Sequence, residues 1–203
     1  MPVKSDREYR AMTMAAVENE DMRVRGYATT FDDPYTLYED KELVLKEIID
    51  RGALDGADFS DVIMQYDHEG RVFARTSNNT LTVEPDAHGL AMEANLSGTS
   101  LGRGLFEEIK GGYTTKMSWG FSVNRDRDEW SSEPLADGRT LETRRIMSVR
   151  KVYDVSAVSL PANDATEISA RNLADGVIER VKAERLEAMK VEERRNALKE
   201  WFK

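Results

Sequence analysis

Three side chains have the types needed for a nucleophile, a base and an acid. Ser118 lies in Met117-Ser118-Trp119-Gly120-Phe121-Ser122-Val123. A period of two puts Met117, Trp119, Phe121 and Val123 on one face and Ser118, Gly120 and Ser122 on the other. The apolar face would hold the strand to the core, and the small-residue face would stay bare, so that an extended chain could approach Ser118 past Gly120. A serine attacks only if a neighbouring base takes its proton, and the chain has two histidines. His88 sits in the turn Pro85-Asp86-Ala87-His88-Gly89. His68 ends a strand carrying Val62, Met64 and Tyr66 on its own face, with Glu69-Gly70 after it, which makes it the better-anchored base. Asp154 lies in Val152-Tyr153-Asp154-Val155-Ser156-Ala157-Val158-Ser159-Leu160, a strand apolar enough on both faces to be buried. A buried carboxylate requires a partner, because an unpaired charge there costs several kcal/mol. Orienting a histidine is one such role. An ion pair with Arg144, Arg145 or Arg150 is the other, and the residues alone leave both open.

Composition removes the competing chemistries. There is no cysteine, hence no disulfide, thiolate nucleophile or Cys-based zinc site. His68 and His88 with Asp67 and Glu69 could be imagined around a metal, but no His-Glu-x-x-His spacing exists, so neither metal nor cofactor is expected. The order His, Ser, Asp and the lack of a Gly-x-Ser-x-Gly elbow set the chain apart from the familiar serine hydrolases. A net charge of -9 disfavours nucleic acid as a partner. No apolar run approaches the ~20 residues that cross a bilayer, and Met1 to Arg10 has no apolar segment of the signal-peptide kind, so the cytoplasm is the expected location.

The elements that would position these residues are mainly strands. From Tyr9 to about Leu160, short alternating segments separated by turns predict antiparallel sheet. Arg23 to Ala28 and Val62 to Tyr66 are two of them. Leu81 to Glu84 and Leu90 to Leu96 predict a hairpin around the turn at residues 85–89. A short helical turn is expected near Gly52-Ala53-Leu54. A better helix is capped by Ser100, places Leu101, Leu105 and Ile109 on one face, and stops at Gly111-Gly112. Asp126 to Thr140 is polar and turn-rich and predicts an exposed loop. A charged helix from about Asn172 to Phe202 carries an imperfect seam of Val177, Val181, Ala188, Val191, Leu198 and Phe202, interrupted by Glu184 and Arg195. It predicts packing on its own domain or a subunit, or else a docking tail. The expected organisation is a domain over residues 1–170 and a helical tail over 171–203.

An ordered set of short motifs resembles the head maturation (prohead) serine proteases of tailed phages and prophages. It runs from Arg25-Gly26-Tyr27-Ala28 and Phe31 through Gly52-Ala53-Leu54, Asp67-His68, Ala74-Arg75-Thr76, Asp86 and Gly89-Leu90. It continues with Met117-Ser118-Trp119-Gly120-Phe121 and ends with Asp154-Val155-Ser156 and Pro161-Ala162-Asn163. The resemblance implies that His68, Ser118 and Asp154 are catalytic, with Asp154 standing where glutamate is more usual. It implies a fold similar to the herpesvirus assembly proteases, an antiparallel β-barrel ringed by helices. By that analogy an oxyanion hole follows the third residue, at Pro161-Ala162-Asn163, with Arg144 and Arg145 as weaker candidates. The implied substrates are the scaffold segment of the major capsid protein and the protease itself, inside the immature head, with homodimerisation plausible. The rival expectation is a catalytically silent capsid-assembly or scaffold-like protein of the same fold.

Overall fold

The structure is a computed structural model that describes residues 7–16, 21–159 and 176–184, together with 186, 187, 190, 191, 194 and 195. In it the chain is mainly β. The strands are β1 (Glu8–Ala16), β2 (Arg23–Thr30), β3 (Tyr35–Glu39), β4 (Leu43–Ile49), β5 (Ile63–Tyr66), β6 (Glu69–Arg75), β7 (Leu81–Pro85), β8 (Gly89–Asn95), β9 (Lys116–Val123), β10 (Glu129–Pro134), β11 (Thr140–Ile146) and β12 (Val149–Val158). An eight-stranded sheet has the order β6-β5-β12-β9-β1-β2-β8-β7, and a four-stranded sheet the order β10-β11-β4-β3. Most ladders are antiparallel, as the alternation predicted, but β5 runs parallel to β12 and β4 to β11. These parallel pairs join strands distant in sequence, so no turn signal announces them.

The large sheet does not close into the expected barrel among the described residues. Its edge strands, β6 and β7, are consecutive in the chain, and no ladder pairs them. At the turn between them Arg75 N–H donates to Thr80 Oγ1 at 2.9 Å and Thr80 N–H to the Arg75 carbonyl at 3.2 Å. A short 3₁₀ turn at Thr76–Asn78 occupies the place where a closing ladder would have to start.

Among the described residues before the tail the one α-helix, α1 (Ser100–Lys110), packs Gly102, Leu105, Phe106 and Ile109 inward. Its cap is Thr99, whose hydroxyl accepts from Gly102 N–H at 2.9 Å. The helix therefore begins one residue earlier than a Ser100 cap would place it, and Leu101 points outward at 48% exposure. Residues 51–56 form turns rather than a helix, although Ala53 and Leu54 are buried. The hairpin of β7 and β8 forms as expected. The segment Asp126 to Thr140, expected to be a loop, contains β10. Its polar sequence hides an edge strand, because Trp130 alone turns inward, onto the residues around Leu43 and Leu45.

The tail helix is helical over residues 176–184. Val177 is buried against Leu43 and Leu45, with Ile178 and Val181 packed at the margin. Arg180 pairs with Glu142 at 2.5 Å and lies 4.9 Å from the centre of the Trp130 ring. The first part of the helix thus packs on its own domain. Beyond it Leu186 and Val191 are exposed, while Asn172, Ala188, Leu198 and Phe202 lie outside the described residues.

The two sheets are joined by buried charge as well as by apolar packing. Glu8 and Arg10 of β1 meet Glu47 of β4 and Arg144 of β11. Arg10 holds Glu47 through Nε at 2.6 Å and Nη2 at 2.8 Å, and holds Glu8 at 2.8 Å. Arg144 reaches Glu8 at 2.7 Å, Glu47 at 3.0 Å and Asp128 at 2.6 Å, and Tyr35 donates to Glu47. Burial by itself would raise the Glu8 carboxyl, but Arg10 and Arg144 outweigh it and hold the group down at about 2. Burial wins at Asp128 and pushes it up despite Arg144.

Breaking such a cluster strands its remaining charges. Glu47→Ala, which removes a carboxylate shared by both arginines, is expected to cost about 3–5 kcal/mol in urea unfolding. Because the Glu8 carboxyl is depressed on folding, its contribution is complete above its ordinary value of 4.5 and is lost as pH falls toward about 2. Asp128, shifted the other way, offsets part of that loss. Stability measured across this window should fall less steeply in Glu8→Gln than in the wild type.

Candidate active site

The site is assembled on the central strands of the large sheet. β9 is paired on one side with β12 and on the other with β1. The registers place Asp154 opposite Gly120, Ser156 opposite Ser118, and Tyr9 opposite Gly120. Because directly opposed residues share a face, Ser118, Gly120, Asp154, Ser156 and Tyr9 come together on one side of the sheet. Irregularities in the β9–β12 ladder flank Lys151 and Asp154.

His68 arrives from the edge. It is not the last residue of a straight strand. Asp67 (φ 48) and His68 (φ 60) form the two-residue turn between β5 and β6. Left-handed backbone at both positions matches the twist of a tight hairpin, and Asp and His tolerate it better than most residues. Such conformations cost of order 1 kcal/mol or more each and persist where surroundings fix them. Here Asp67 N–H donates to the Ala157 carbonyl at 2.8 Å. The Asp67 carboxylate accepts from Ser159 N–H at 2.9 Å and from its hydroxyl at 2.9 Å. The histidine turn is therefore bound to the strand that carries Asp154.

The resulting contacts are close. His68 Nδ1 lies 2.5 Å from Asp154 Oδ1, with both side chains almost wholly buried. With a carboxylate on Nδ1, that nitrogen carries the proton and Nε2 presents a lone pair. His68 Nε2 and Ser118 Oγ are both buried and hydrogen-bond to nothing among the described residues. An unsatisfied buried polar atom costs about 1–3 kcal/mol, and each such atom calls for an explanation, a reacting role among them. Ser156 Oγ donates to Asp154 Oδ1 at 2.8 Å. The Tyr9 ring packs edge-on to His68, with centroids 4.4 Å apart.

Gly120 makes this possible. A Cβ there would lie 2.5 Å from Asp154 Oδ2 and 2.9 Å from Tyr9 Cε1. The expectation of a bare, open face around it is corrected: Ser118, Gly120 and Ser122 are all buried, with Asp154 and Tyr9 against Gly120 and with Tyr153 and Arg150 beside Ser122. The glycine makes room for the carboxylate and not for an approaching chain. On the other face Met117, Trp119 and Phe121 are buried as predicted.

The arginines that competed for Asp154 are engaged elsewhere. Arg144 sits in the intersheet cluster, Arg145 binds Asp32 at 2.7 Å and Asp50 at 2.8 Å, and Arg150 donates to Ser122 Oγ at 3.3 Å. With its guanidinium held by Glu8, Glu47 and Asp128, Arg144 is drawn away from the Ser118 face, and Arg145 is likewise taken up. Pro161, Ala162 and Asn163 lie outside the described residues. His88 stays in its turn against Tyr27, with ring centroids 4.6 Å apart. No cluster of three or more potential metal ligands occurs among the described residues. Tyr9 and the clamping role of Asp67 escaped the reading of the sequence. The approach of Tyr9 to His68 and a hydrogen bond from residue 67 to residue 159 both join segments far apart in the chain and have no local signature.

A hydroxyl, an imidazole and a carboxylate on one sheet face, with the imidazole oriented by the acid, have the composition of a serine hydrolase site. The comparison with known families agrees: the chain belongs to the caudovirus prohead serine proteases, whose pattern matches residues 10–182. No curated protein and no solved structure matches it.

Gly120→Ala must displace the carboxylate or Tyr9, and either movement disturbs His68. The variant is expected to lose about 100-fold in the rate at which a fluorophosphonate labels the protein, as misplacements near 1 Å can cost. Circular dichroism should show it still folded.

Proposed function

We propose that this chain is the serine endopeptidase of phage head maturation, with Ser118 as nucleophile, His68 as base and Asp154 as the orienting acid. The observation that carries this reading is the 2.5 Å contact of His68 Nδ1 with Asp154, which leaves Nε2 and the Ser118 hydroxyl as the unsatisfied pair on the same side. Ser118 Oγ bonds to the peptide carbonyl carbon as its proton passes to His68 Nε2. The same proton then goes to the departing amine as the C–N bond breaks. Water, deprotonated by the same imidazole, releases the acyl group. Asp154 stays ionised throughout and stabilises the imidazolium.

The oxyanion would be met by the backbone N–H groups of Ala162 and Asn163 in the segment Pro161-Ala162-Asn163, which follows β12 and in which the proline has no N–H to give. The substrates are the scaffold segment of the major capsid protein and the protease itself, cut inside the procapsid in the bacterial cytoplasm. No helix among the described residues is long and apolar enough to cross a membrane, which is compatible with that location. The eight-stranded sheet is the part of the fold we read as akin to the herpesvirus assembly proteases. Residues 1–170 form the protease domain and 171–203 its tail. Exposed Leu186 and Val191 leave that tail free to meet capsid protein or a second copy.

The test is co-expression of wild type and Ser118→Ala with the capsid protein encoded beside it, read by intact mass. Shortened capsid protein and shortened protease are expected with the wild type alone. If both variants co-assemble with uncut capsid protein, the chain is a silent assembly protein and this reading fails.

A further inference from the structure

We infer that Ser156 is a positioning residue of the site, holding the Asp154 carboxylate in the orientation and charge state that set the basicity of His68. This rests on the proposed roles of His68, Ser118 and Asp154 and gives a role to a fourth side chain.

Ser156 is wholly buried and lies directly opposite Ser118 in the β9–β12 ladder. A second hydroxyl beside a nucleophile could compete for the base. It does not, because its proton is given to Asp154 Oδ1 at 2.8 Å. That oxygen is the one His68 Nδ1 contacts, so a single carboxylate oxygen takes two donors from different directions. Oδ2 is confined on its other side by Gly120, where even a methyl group would lie 2.5 Å away. The carboxylate is thus fixed at one oxygen by hydrogen bonds and at the other by packing.

Both bonds strengthen in a buried setting, where an ionised acceptor makes the strong kind of hydrogen bond. A donor on Asp154 also draws negative charge away from the oxygen that faces His68. Without it the carboxylate would hold the imidazolium more tightly, and His68 would keep its proton to higher pH. Ser156 therefore acts in two ways: it sets the direction in which Nε2 points, and it limits how strongly the acid retains the imidazolium.

Ser156→Ala removes one oxygen and adds no bulk, so the fold should survive. Ser156→Cys keeps a weak donor and serves as the conservative variant. The probe is an alkyl fluorophosphonate, with labelling of Ser118 followed by intact mass across pH. A His88→Gln background leaves His68 as the only histidine in the chain, so that its ring protons are read by NMR without overlap.

In Ser156→Ala, labelling at neutral pH should fall about tenfold, the worth of one hydrogen bond in the transition state. The acid limb of the pH profile should move to higher pH, and the His68 Nδ1 proton resonance should shift or broaden. Ser156→Cys should fall between alanine and wild type on all three readouts. If Ser156→Ala changes only the melting temperature, with limb and resonance as in the wild type, Ser156 is a packing residue and the inference is overturned. If the fluorophosphonate labels wild type and Ser118→Ala alike, the proposed nucleophile is wrong. The Nδ1 resonance still decides whether Ser156 orients the Asp154–His68 pair.

Discussion

A buried carboxylate in the middle of a sheet is the constraint around which this site is built. Asp154 is 2% exposed and sits on the second strand from the centre of the large sheet. Left alone there, it would have to pick up a proton or unfold the strand. It is kept by two donors, His68 and Ser156, and by a glycine whose missing side chain is the space it fills. Each of the three comes from a different place in the chain: a hairpin turn at the sheet edge, the same strand two residues on, and the neighbouring strand.

Holding those three in register falls largely to β1. It is an interior strand of the large sheet, next to the strand of Ser118. Successive residues point to opposite faces, so Tyr9 lies against His68 while Glu8 and Arg10 enter the charge cluster that fastens the second sheet. The cluster and the candidate site are thus two faces of one strand. An ionic joint of this type gives little net stability compared with apolar packing, but it tolerates only one arrangement of its members. It fixes where β1 lies, and with it the ring that packs on the histidine.

The strained turn at Asp67-His68 belongs to the same logic. Its backbone would relax if free, and the bonds from Asp67 to Ala157 and Ser159 prevent that. They tie His68 to the far end of the strand that carries Asp154. The distance between His68 and Asp154 is then set by one strand and not by the independent positions of two loops.

Much of this could be read from residue order alone. Period-two alternation marks a strand whether or not its partner is known, so the Met117–Val123 strand, the β7–β8 hairpin and the largely buried strand of Asp154 were all legible. The chemistry of a serine, a histidine and an acid, with no cysteine to compete, was equally visible, because residue types carry it. What the sequence could not settle depends on which strands become neighbours. The small-residue face of β9 looked open, and at Gly120 it is closed by Tyr9 and Asp154. Arg144 looked available to the site, and it is buried elsewhere because Glu8, Glu47 and Asp128 converge on it. β10 looked like a loop because an edge strand needs only one inward side chain. Alternation and residue type are local properties that the sequence determines by itself. The contacts of Ser156, Gly120, Tyr9 and Asp67 exist only because distant strands pair, and their energies come from burial that no single segment can produce.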